Sequence, residues 1–306
     1  MSEQAKWIAV DWGTSNLRLW GMDGNDRPVF AAESDRGMGK LQREEFAPAL
    51  LDLVTPKLGA SANTLDIVIC GMAGARQGWV EAPYVDTPAD LAALIGRGVE
   101  VSAGTLRGRI LPGVAQRRLG AEDVMRGEET QLLGLLRLRP GFEGVAIHPG
   151  THSKWVEIAA GRIIRFQSAM TGELYDVLSK HSVLRHSLAG EINGTETEAG
   201  VAAGLDAGLA EPELVTGLIF RTRAAALLSG KGPDWCSGFL SGLLVGAEVA
   251  GHKRWLGGSK VPLIGSARLC RLYGAALGRI GIESEAIDAT DATLAGLTAA
   301  HGMVRT

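Results

Sequence analysis

The stretch Trp7-Ile8-Ala9-Val10-Asp11-Trp12-Gly13-Thr14-Ser15-Asn16-Leu17-Arg18-Leu19-Trp20-Gly21 decides how this chain is read. Trp7 to Val10 is a continuous apolar run. Asp11 to Asn16 is a polar turn that contains a glycine. Leu17, Leu19 and Gly21 then alternate with Arg18 and Trp20, which is the period of a strand. Strand, tight turn, strand is the resulting reading, with a third strand over Pro28–Glu33 after the Gly24-Asn25-Asp26 turn. A Gly-Thr-Ser turn between two strands aims successive backbone N–H groups and hydroxyls in one direction, and that makes an anion-binding concavity.

The same pattern starts again at mid-chain. Gly144-Val145-Ala146-Ile147 is apolar and runs into His148-Pro149-Gly150-Thr151-His152-Ser153, after which Trp155, Val156 and Ile158 lead to a turn at Gly161 and a strand over Arg162–Gln167. Laying His148 on Asp11 puts Gly150 on Gly13 and Thr151 on Thr14. Such self-similarity predicts two similar α/β domains, 1–122 and 123–306, abutting around a cleft because no linker composition separates them. Further strands are expected at Asp66–Cys70, Arg109–Leu111, Val261–Ile264 and 285–288. Helices are expected at Glu44–Val54, Ala89–Ile95, Asp123–Leu138, 172–180, 196–210, 212–229, 238–250, Ala267–Gly278 and 291–300. Gly71–Arg76 reads as a loop. Ile264-Gly265-Ser266 is a third strand–glycine–helix junction, whose helix N-terminus is suited to a nucleotide.

Composition narrows the class. Glycine supplies 42 of 306 residues, about twice the usual share near 7%, while proline supplies 11 and no Gly-X-Y period or Gly-Ser tract occurs. The excess therefore points to tight turns and close backbone approaches. Gly200, Gly204 and Gly208, at helical spacing, point to close helix packing. Lys+Arg 31 against Asp+Glu 34 gives a net charge of −3, without the basic excess of a nucleic-acid binder. Cys70, Cys236 and Cys270 form no Cys-x-x-Cys motif, so reduced, buried thiols in a cytoplasmic protein are expected. The N-terminus has no signal-peptide pattern. Gly238–Ala250, the most apolar stretch, is too short to cross a bilayer and carries Glu248, so no membrane partner is expected. No Gly-x-Gly-x-x-Gly follows the first strand, which argues against a dinucleotide-dependent dehydrogenase.

The residues themselves suggest roles. Gly13, Thr14, Ser15 and Asn16 in the first turn, Gly150, Thr151, His152 and Ser153 in the second, and Gly265 and Ser266 at the third junction are candidate nucleotide contacts. Asp11 is placed to hold Mg²⁺ directly or through water, and Lys154 offers a point charge to a phosphate. Either turn alone reads equally well as an ordinary hairpin turn, and Asp11 as a turn residue bonded to its own backbone. The pairing of the two turns, with the third junction, favours the nucleotide.

These strings resemble a known superfamily. Asp11-x-Gly-Thr-Ser-Asn16 resembles the first phosphate motif of the actin/hexokinase/Hsp70 ATPases, His148–Trp155 the second, and Pro262-Leu-Ile-Gly-Ser266 the adenosine motif. Gly71-Met-Ala-Gly-Ala-Arg-Gln-Gly-Trp79, Asp123-Val-Met-Arg-Gly-Glu-Glu-Thr-Gln-Leu-Leu-Gly134, Pro149–Trp155 and Met170-Thr-Gly-Glu-Leu174 are similar to the 2-dehydro-3-deoxygalactonokinase family, in order along nearly the whole chain. The resemblance implies an α/β fold of two similar ribonuclease-H-like domains, the actin-like ATPase fold, with a nucleotide cleft. It also implies ATP and Mg²⁺, and phosphoryl transfer to the 6-hydroxyl of 2-dehydro-3-deoxy-D-galactonate in galactonate breakdown. His148-Pro149 stands where the wider superfamily often has an aspartate, which argues against a second metal carboxylate.

In similar sugar kinases the proton acceptor is an acidic residue opening the helix before the second phosphate hairpin. Glu128 fits that place, and Glu129, Asp123 and Asp11 are its rivals. A keto-acid substrate carries a carboxylate that suits a planar guanidinium, and Arg18, Arg76 and Arg126 are candidates. Gln77 and Trp79, near Arg76 in the glycine-rich loop, and Glu173 are further substrate candidates, with helix capping the alternative for Glu173. A kinase for another keto-deoxy sugar acid or sugar, and a nucleotide-binding regulatory or assembly protein of the same fold, are the competing readings. A small-molecule partner is expected, and a homo-oligomer is left open.

Overall fold

The computed structural model describes residues 4–58, 64–189, 194 and 196–304. The chain forms two compact units, one of Met1–Glu143, Ile158–Phe166 and Ala289–Thr306, the other of Gly144–Glu157 and Gln167–Asp288.

The first unit holds β1 (Trp7–Trp12), β2 (Leu17–Met22), β3 (Pro28–Ser34), α1 (Phe46–Leu58), β4 (Leu65–Gly71), β5 (Tyr84–Asp86), β6 (Ala89–Asp90), β7 (Val99–Ala103), β8 (Leu106–Ile110), β9 (Gly113–Gln116), β10 (Asp123–Met125) and α2 (Glu128–Leu138). Its main sheet has the order β3-β2-β1-β4-β8-β7. β1 is antiparallel to β2 and parallel to β4, which is parallel to β8. Strand alternation puts Ile8, Val10, Leu17, Leu19, Ile67 and Ile69 into one core with Phe46, Leu50 and Val54 of α1. A small sheet, β10-β9-β5, stands apart from it.

The chain continues through β11 (Gly144–His148), β12 (Ser153–Ala159), β13 (Arg162–Ala169), α3 (Thr171–His181), α4 (Arg185–Leu188), α5 (Thr197–Ala210), α6 (Val215–Leu228), α7 (Pro233–His252), β14 (Val261–Gly265), α8 (Ala267–Arg279), β15 (Ser284–Asp288) and α9 (Ala289–Val304). The strands run β13-β12-β11-β14-β15 across the sheet. This is the order β3-β2-β1-β4-β8 of the first unit, and β11, β14 and β15 are likewise parallel. The repeat predicted from two matched turns is thus a repeat of strand order.

Two expected helices are corrected. Ala89–Ile95 begins as β6, paired with Arg162 and Ile163, and continues as a 3-10 turn over Ala93–Arg97. The Asp90 carboxylate accepts the Ala92 N–H at 2.9 Å and so bends the chain there. The helix expected over Asp123–Leu138 starts only at Glu128. Asp123–Met125 pairs with Gln116–Val114, and Gly127 takes a φ of 108° that no α-helix contains.

Helical glycines form packing seams in both units. A Cβ on Gly204 of α5 would lie 2.2 Å from the Phe239 carbonyl of α7, and one on Gly242 of α7 would lie 2.3 Å from the Val201 carbonyl of α5. In the first unit, Gly134 of α2 and Gly296 of α9 meet the Ala292 and Thr130 carbonyls in the same way, each at 1.9 Å. Gly204→Ala is therefore expected to cost at least about 1–3 kcal/mol through forced separation of backbones. Gly302→Ala, whose added methyl would meet nothing within 4 Å, is expected to leave stability unchanged or raise it by up to about 1 kcal/mol. Urea unfolding of the two variants checks the contrast, and equal losses would reject the seam.

Candidate active site

β1 delivers Asp11 to the mouth of the first turn, and β2 returns Arg18 beside it. Asp11 Oδ2 accepts from Arg18 Nη2 at 2.5 Å, and Arg18 Nη1 donates to Thr290 Oγ1 at 3.3 Å. Between the two strands, Gly13 N–H closes the turn on the Asn16 carbonyl at 2.8 Å. The carbonyls of Gly13, Thr14 and Ser15 accept from the N–H groups of Met38 (3.0 Å), Gly39 (2.9 Å) and Gly37 (3.2 Å). In a trans peptide the carbonyl and the following N–H point in opposite directions. The N–H groups of Thr14, Ser15 and Asn16 therefore face away from segment 37–39, on residues that are exposed. Such an outward row of N–H groups has the form of an anion-binding concavity. The brace behind it was not legible in sequence, although Gly37 carries a signal: a Cβ there would fall 2.2 Å from the Ser15 carbonyl carbon.

The start of α2 brings two carboxylates to the same unit. Glu128 is half-buried, and its Oε2 accepts the Arg126 N–H at 3.1 Å. Glu129 is buried, its Oε2 accepting the Gly127 N–H at 2.6 Å and its Oε1 the Thr130 hydroxyl at 3.0 Å. Burial first, and then the charge of Glu128, push the Glu129 carboxyl up to about 7. The thiol of Cys70 is also raised, by burial and then by Asp11 and Glu129. Cys70 Sγ lies 3.8 Å from Asp11 Oδ1. A methyl on Gly127 would lie 3.5 Å from Gly71 Cα, and one on Gly71 would lie 3.5 Å from Asp11 Oδ1. The ends of β1 and β4 and the start of α2 thus converge. Asp123, two residues into the approach, pairs in β10.

The three candidate arginines differ in their engagements. Arg18 is held by Asp11 and Thr290. Arg76 is exposed, and its carbonyl accepts from Arg43 Nη2 at 3.1 Å. Arg126 Nη2 donates to the Ala82 carbonyl at 2.9 Å, and its guanidinium lies 4.4 Å from the Tyr84 ring centroid. Its Nε and Nη1 are buried without a hydrogen-bond partner among the described residues, a deficit that costs about 1–3 kcal/mol per donor. Gln77 is exposed. Trp79 packs in the core of the unit, 8% exposed, against Trp12 and Phe46.

In the second unit, β11 and β12 frame the second turn. Thr151 and His152 are exposed, whereas Ser153 and Lys154 are buried. The Thr151 carbonyl accepts the Glu173 N–H at 3.0 Å, and the His152 imidazole hydrogen-bonds the Glu173 carboxylate. The turn is thus seated on the first turn of α3, where a Cβ on Gly172 would fall 2.5 Å from the Gly150 carbonyl. Ser153 Oγ donates to Glu248 Oε1 at 2.7 Å, and Lys154 Nζ donates to Ser168 Oγ at 2.5 Å, so the structure turns both side chains inward. His148 is buried beside Lys154. Desolvation and then that charge hold its imidazole down to about 3, so it is neutral near pH 7. Gly265 lies against the turn, a Cβ there being 3.1 Å from the Pro149 carbonyl, and Ser266 caps α8 by accepting the Leu269 N–H. Beside turn and junction, Gly150, Gly172, Tyr175, Leu244, Leu269 and Leu272 line a recess. The turn and third junction, far apart in sequence, are neighbours.

Halves of one strand order, each with a Gly-Thr turn between its first two strands, define an α/β protein of the actin-like ATPase class. Residues 11–300 match the 2-keto-3-deoxy-galactonokinase family, and the chain belongs to that family. It is 43% identical over 305 residues to the probable 2-dehydro-3-deoxygalactonokinase of Rhizobium meliloti (strain 1021), covering 98% of both chains. It is 33% identical over 294 residues to the 2-dehydro-3-deoxygalactonokinase of Escherichia coli (strain K12), covering 96% of each. A crystal structure of a Sinorhizobium meliloti protein provisionally assigned as a 2-dehydro-3-deoxygalactonokinase superposes with a TM-score of 0.89 at 41% identity, over 96% of this chain and 95% of that one.

The Glu129 environment has a pH consequence. Unfolded, the carboxyl releases its proton near 4.5, and folded it keeps it to about 7. Between these values the folded state binds more protons, so stability falls as pH rises. Glu129→Gln removes this loss. Its melting temperature is expected to gain on that of the native chain between about pH 5 and about pH 8, and a gap that stays constant with pH would contradict the buried carboxyl.

Proposed function

We propose that this chain transfers the γ-phosphoryl group of ATP to the 6-hydroxyl of 2-dehydro-3-deoxy-D-galactonate in the cytoplasm, as a step of galactonate breakdown. Family kinship along nearly the whole chain carries this reading, and the turn geometry supports its phosphoryl half. Phosphoryl transfer asks mainly for positioning and charge neutralisation. The outward N–H groups of Thr14, Ser15 and Asn16 suit phosphate oxygens, as do Gly150, Thr151 and His152 on the second turn. The recess flanked by Leu244, Leu269 and Leu272, next to Gly265 and Ser266, suits the adenosine.

Asp11 is the residue that would hold Mg²⁺. No group of three or more His, Cys, Asp or Glu side chains among the described residues forms a metal site. One carboxylate fits a Mg²⁺ that binds mainly through water and nucleotide oxygens. When bound, the ion neutralises charge on the phosphates.

Glu128 is the proton acceptor in this proposal, with Glu129 its buried support. Two adjacent carboxylates in different environments divide the work. The half-buried one can reach a substrate hydroxyl, and the buried one holds Gly127 and with it the start of α2. Arg126 is the proposed seat of the substrate carboxylate, since it has guanidinium donors to offer. The loop bearing Gly74 covers them: a Cβ at Gly74 would lie 2.8 Å from Arg126 Nη1. That loop must therefore lift for the substrate to bind. Arg76, exposed on the same loop, is the second candidate.

ADP formation that depends on 2-dehydro-3-deoxygalactonate tests the activity, and ATP hydrolysis indifferent to every sugar acid would overturn it. Glu128→Gln is expected to lower kcat by about 100- to 10,000-fold with nucleotide affinity retained, and an unchanged kcat would remove Glu128 from the role. Arg126→Ala is expected to raise the sugar-acid KM at least about tenfold, the loss of one charge-assisted contact. Should Arg76→Ala raise it more, the carboxylate sits on Arg76.

A further inference from the structure

α6 carries apolar side chains on both sides. Leu218, Ile219, Ala225 and Ala226 pack on the cluster built from Trp235, Phe239 and Leu243 of α7. The opposite side carries Gly217, Phe220, Ala224, Leu227 and Leu228, with Phe220 57% and Leu228 86% exposed, together with Arg221 and, at its edge, Thr216 and Arg223. The chain builds helices of the opposite kind elsewhere: α8 turns Arg268 and Arg271 to the surface and buries Cys270, Tyr273 and Leu277. Large exposed apolar patches mark interaction sites. The face of α6 therefore needs a cover.

Three features of α6 select a copy of itself. First, the stripe is self-complementary. At 3.6 residues per turn, Gly217, Ala224 and Leu228 share one line with Phe220 beside it. An antiparallel two-fold pairing puts Gly217 opposite Ala224 of the other copy. A Cβ on Gly217 would meet nothing within 4 Å, so the two small positions leave room for the aromatic ring of Phe220. Second, the ends are complementary in charge. Glu211 and Glu213 precede the helix, and Lys231, whose Nζ lies 5.4 Å from the Trp235 ring centroid, follows it. Neither acid side chain has an ion-pair partner among the described residues, and antiparallel pairing brings each pair of acids towards the other copy's lysine. Third, antiparallel packing sets the two helix dipoles against each other favourably. Arg221, the one cation at the middle of the face, leans away over the Phe239 ring at 5.7 Å.

We propose that the outward face of α6 is a two-fold interface on which a second copy of this chain docks, its α6 antiparallel to the first. The inference does not depend on the proposed reaction, because no residue of α6 belongs to the candidate site.

The test is the mass of the full-length chain in solution, by light scattering after size exclusion, for the native chain and for Phe220→Glu. A dimer is expected for the native chain and a monomer of unchanged kcat for the variant. A native monomer at micromolar concentration, or a Phe220→Glu chain that remains dimeric, overturns the proposal. Cross-linking fixes the orientation without destabilising the face. Position 213 stands opposite position 228 of the other copy, whereas the two copies of position 228 lie about 22 Å apart. The double variant Glu213→Cys, Leu228→Cys is expected to form a covalent dimer on mild oxidation, and Leu228→Cys alone is not. Cross-linking by the single variant, or none by the double, refutes the antiparallel pairing. A native chain that binds lipid vesicles or another protein through this face while monomeric refutes it equally.

Discussion

The carboxylate of Glu248 organises the second unit. It is buried near the C-terminal end of α7, where an unmatched carboxylate would cost several kcal/mol. Three donors meet it: Ser153 Oγ and Trp155 Nε1 on Oε1, both at 2.7 Å, and the Tyr273 hydroxyl on Oε2 at 2.6 Å. Those donors come from the strand that leaves the second turn and from the helix that opens at Ser266. Burial and this carboxylate push the Tyr273 hydroxyl up, which keeps it protonated as a donor. His252, one turn further on, stacks on Trp155 at 4.5 Å and hydrogen-bonds the Glu248 carbonyl through Nδ1. One buried acid thus ties turn, strand and helix to a single core helix. Losing any one donor would leave charge unmatched and loosen the turn.

α7 can play this part because its other side is fixed without side chains. Gly238, Gly242 and Gly246 face carbonyls of α5, and Gly200, Gly204 and Gly208 face carbonyls of α7. Contacts between backbones leave few alternative packings, and such close packing fixes positions firmly. The first unit reaches a rigid turn by a different route. There the backbone of segment 37–39 takes up the carbonyls of the turn, and Asp11 is matched by Arg18. The repeat keeps the strand order and a Gly-Thr turn between its first two strands, while the supports of the two turns differ.

Much of the fold was legible because its signals are local. Apolar runs ending at Asp11 and His148, alternation after each turn, and glycines at helical spacing each reflect a short-range constraint. The ends of Ala89–Ile95 and Asp123–Leu138 were not legible. Their apolar periodicity suits a helix, whereas Ala89 pairs with Ile163 of a distant strand and Met125 with Val114 of the preceding one, contacts that periodicity does not encode. In the candidate site, residue types pointed to the turns, to Glu128 and Glu129, and to three arginines. They could not rank the arginines, since rank depends on what surrounds each guanidinium. Nor could they show that Ser153 and Lys154 point inward, because alternation along β12 is broken where all of Ser153 to Val156 is buried.

The sequence alone determined the kind of protein: a duplicated α/β chain of a sugar-acid kinase family, with Gly-Thr turns after β1 and β11. Period and turn chemistry are written in consecutive residues, so they survive without coordinates. Only the tertiary structure decided which polar groups are spent and which are available. It committed Ser153 to Glu248, Arg18 to Asp11 and Trp79 to the core, left Arg126 with donors to offer, and buried Glu129 so that its proton is held. Those outcomes depend on desolvation and on partners brought from far along the chain, and neither is a property of any short stretch of residues.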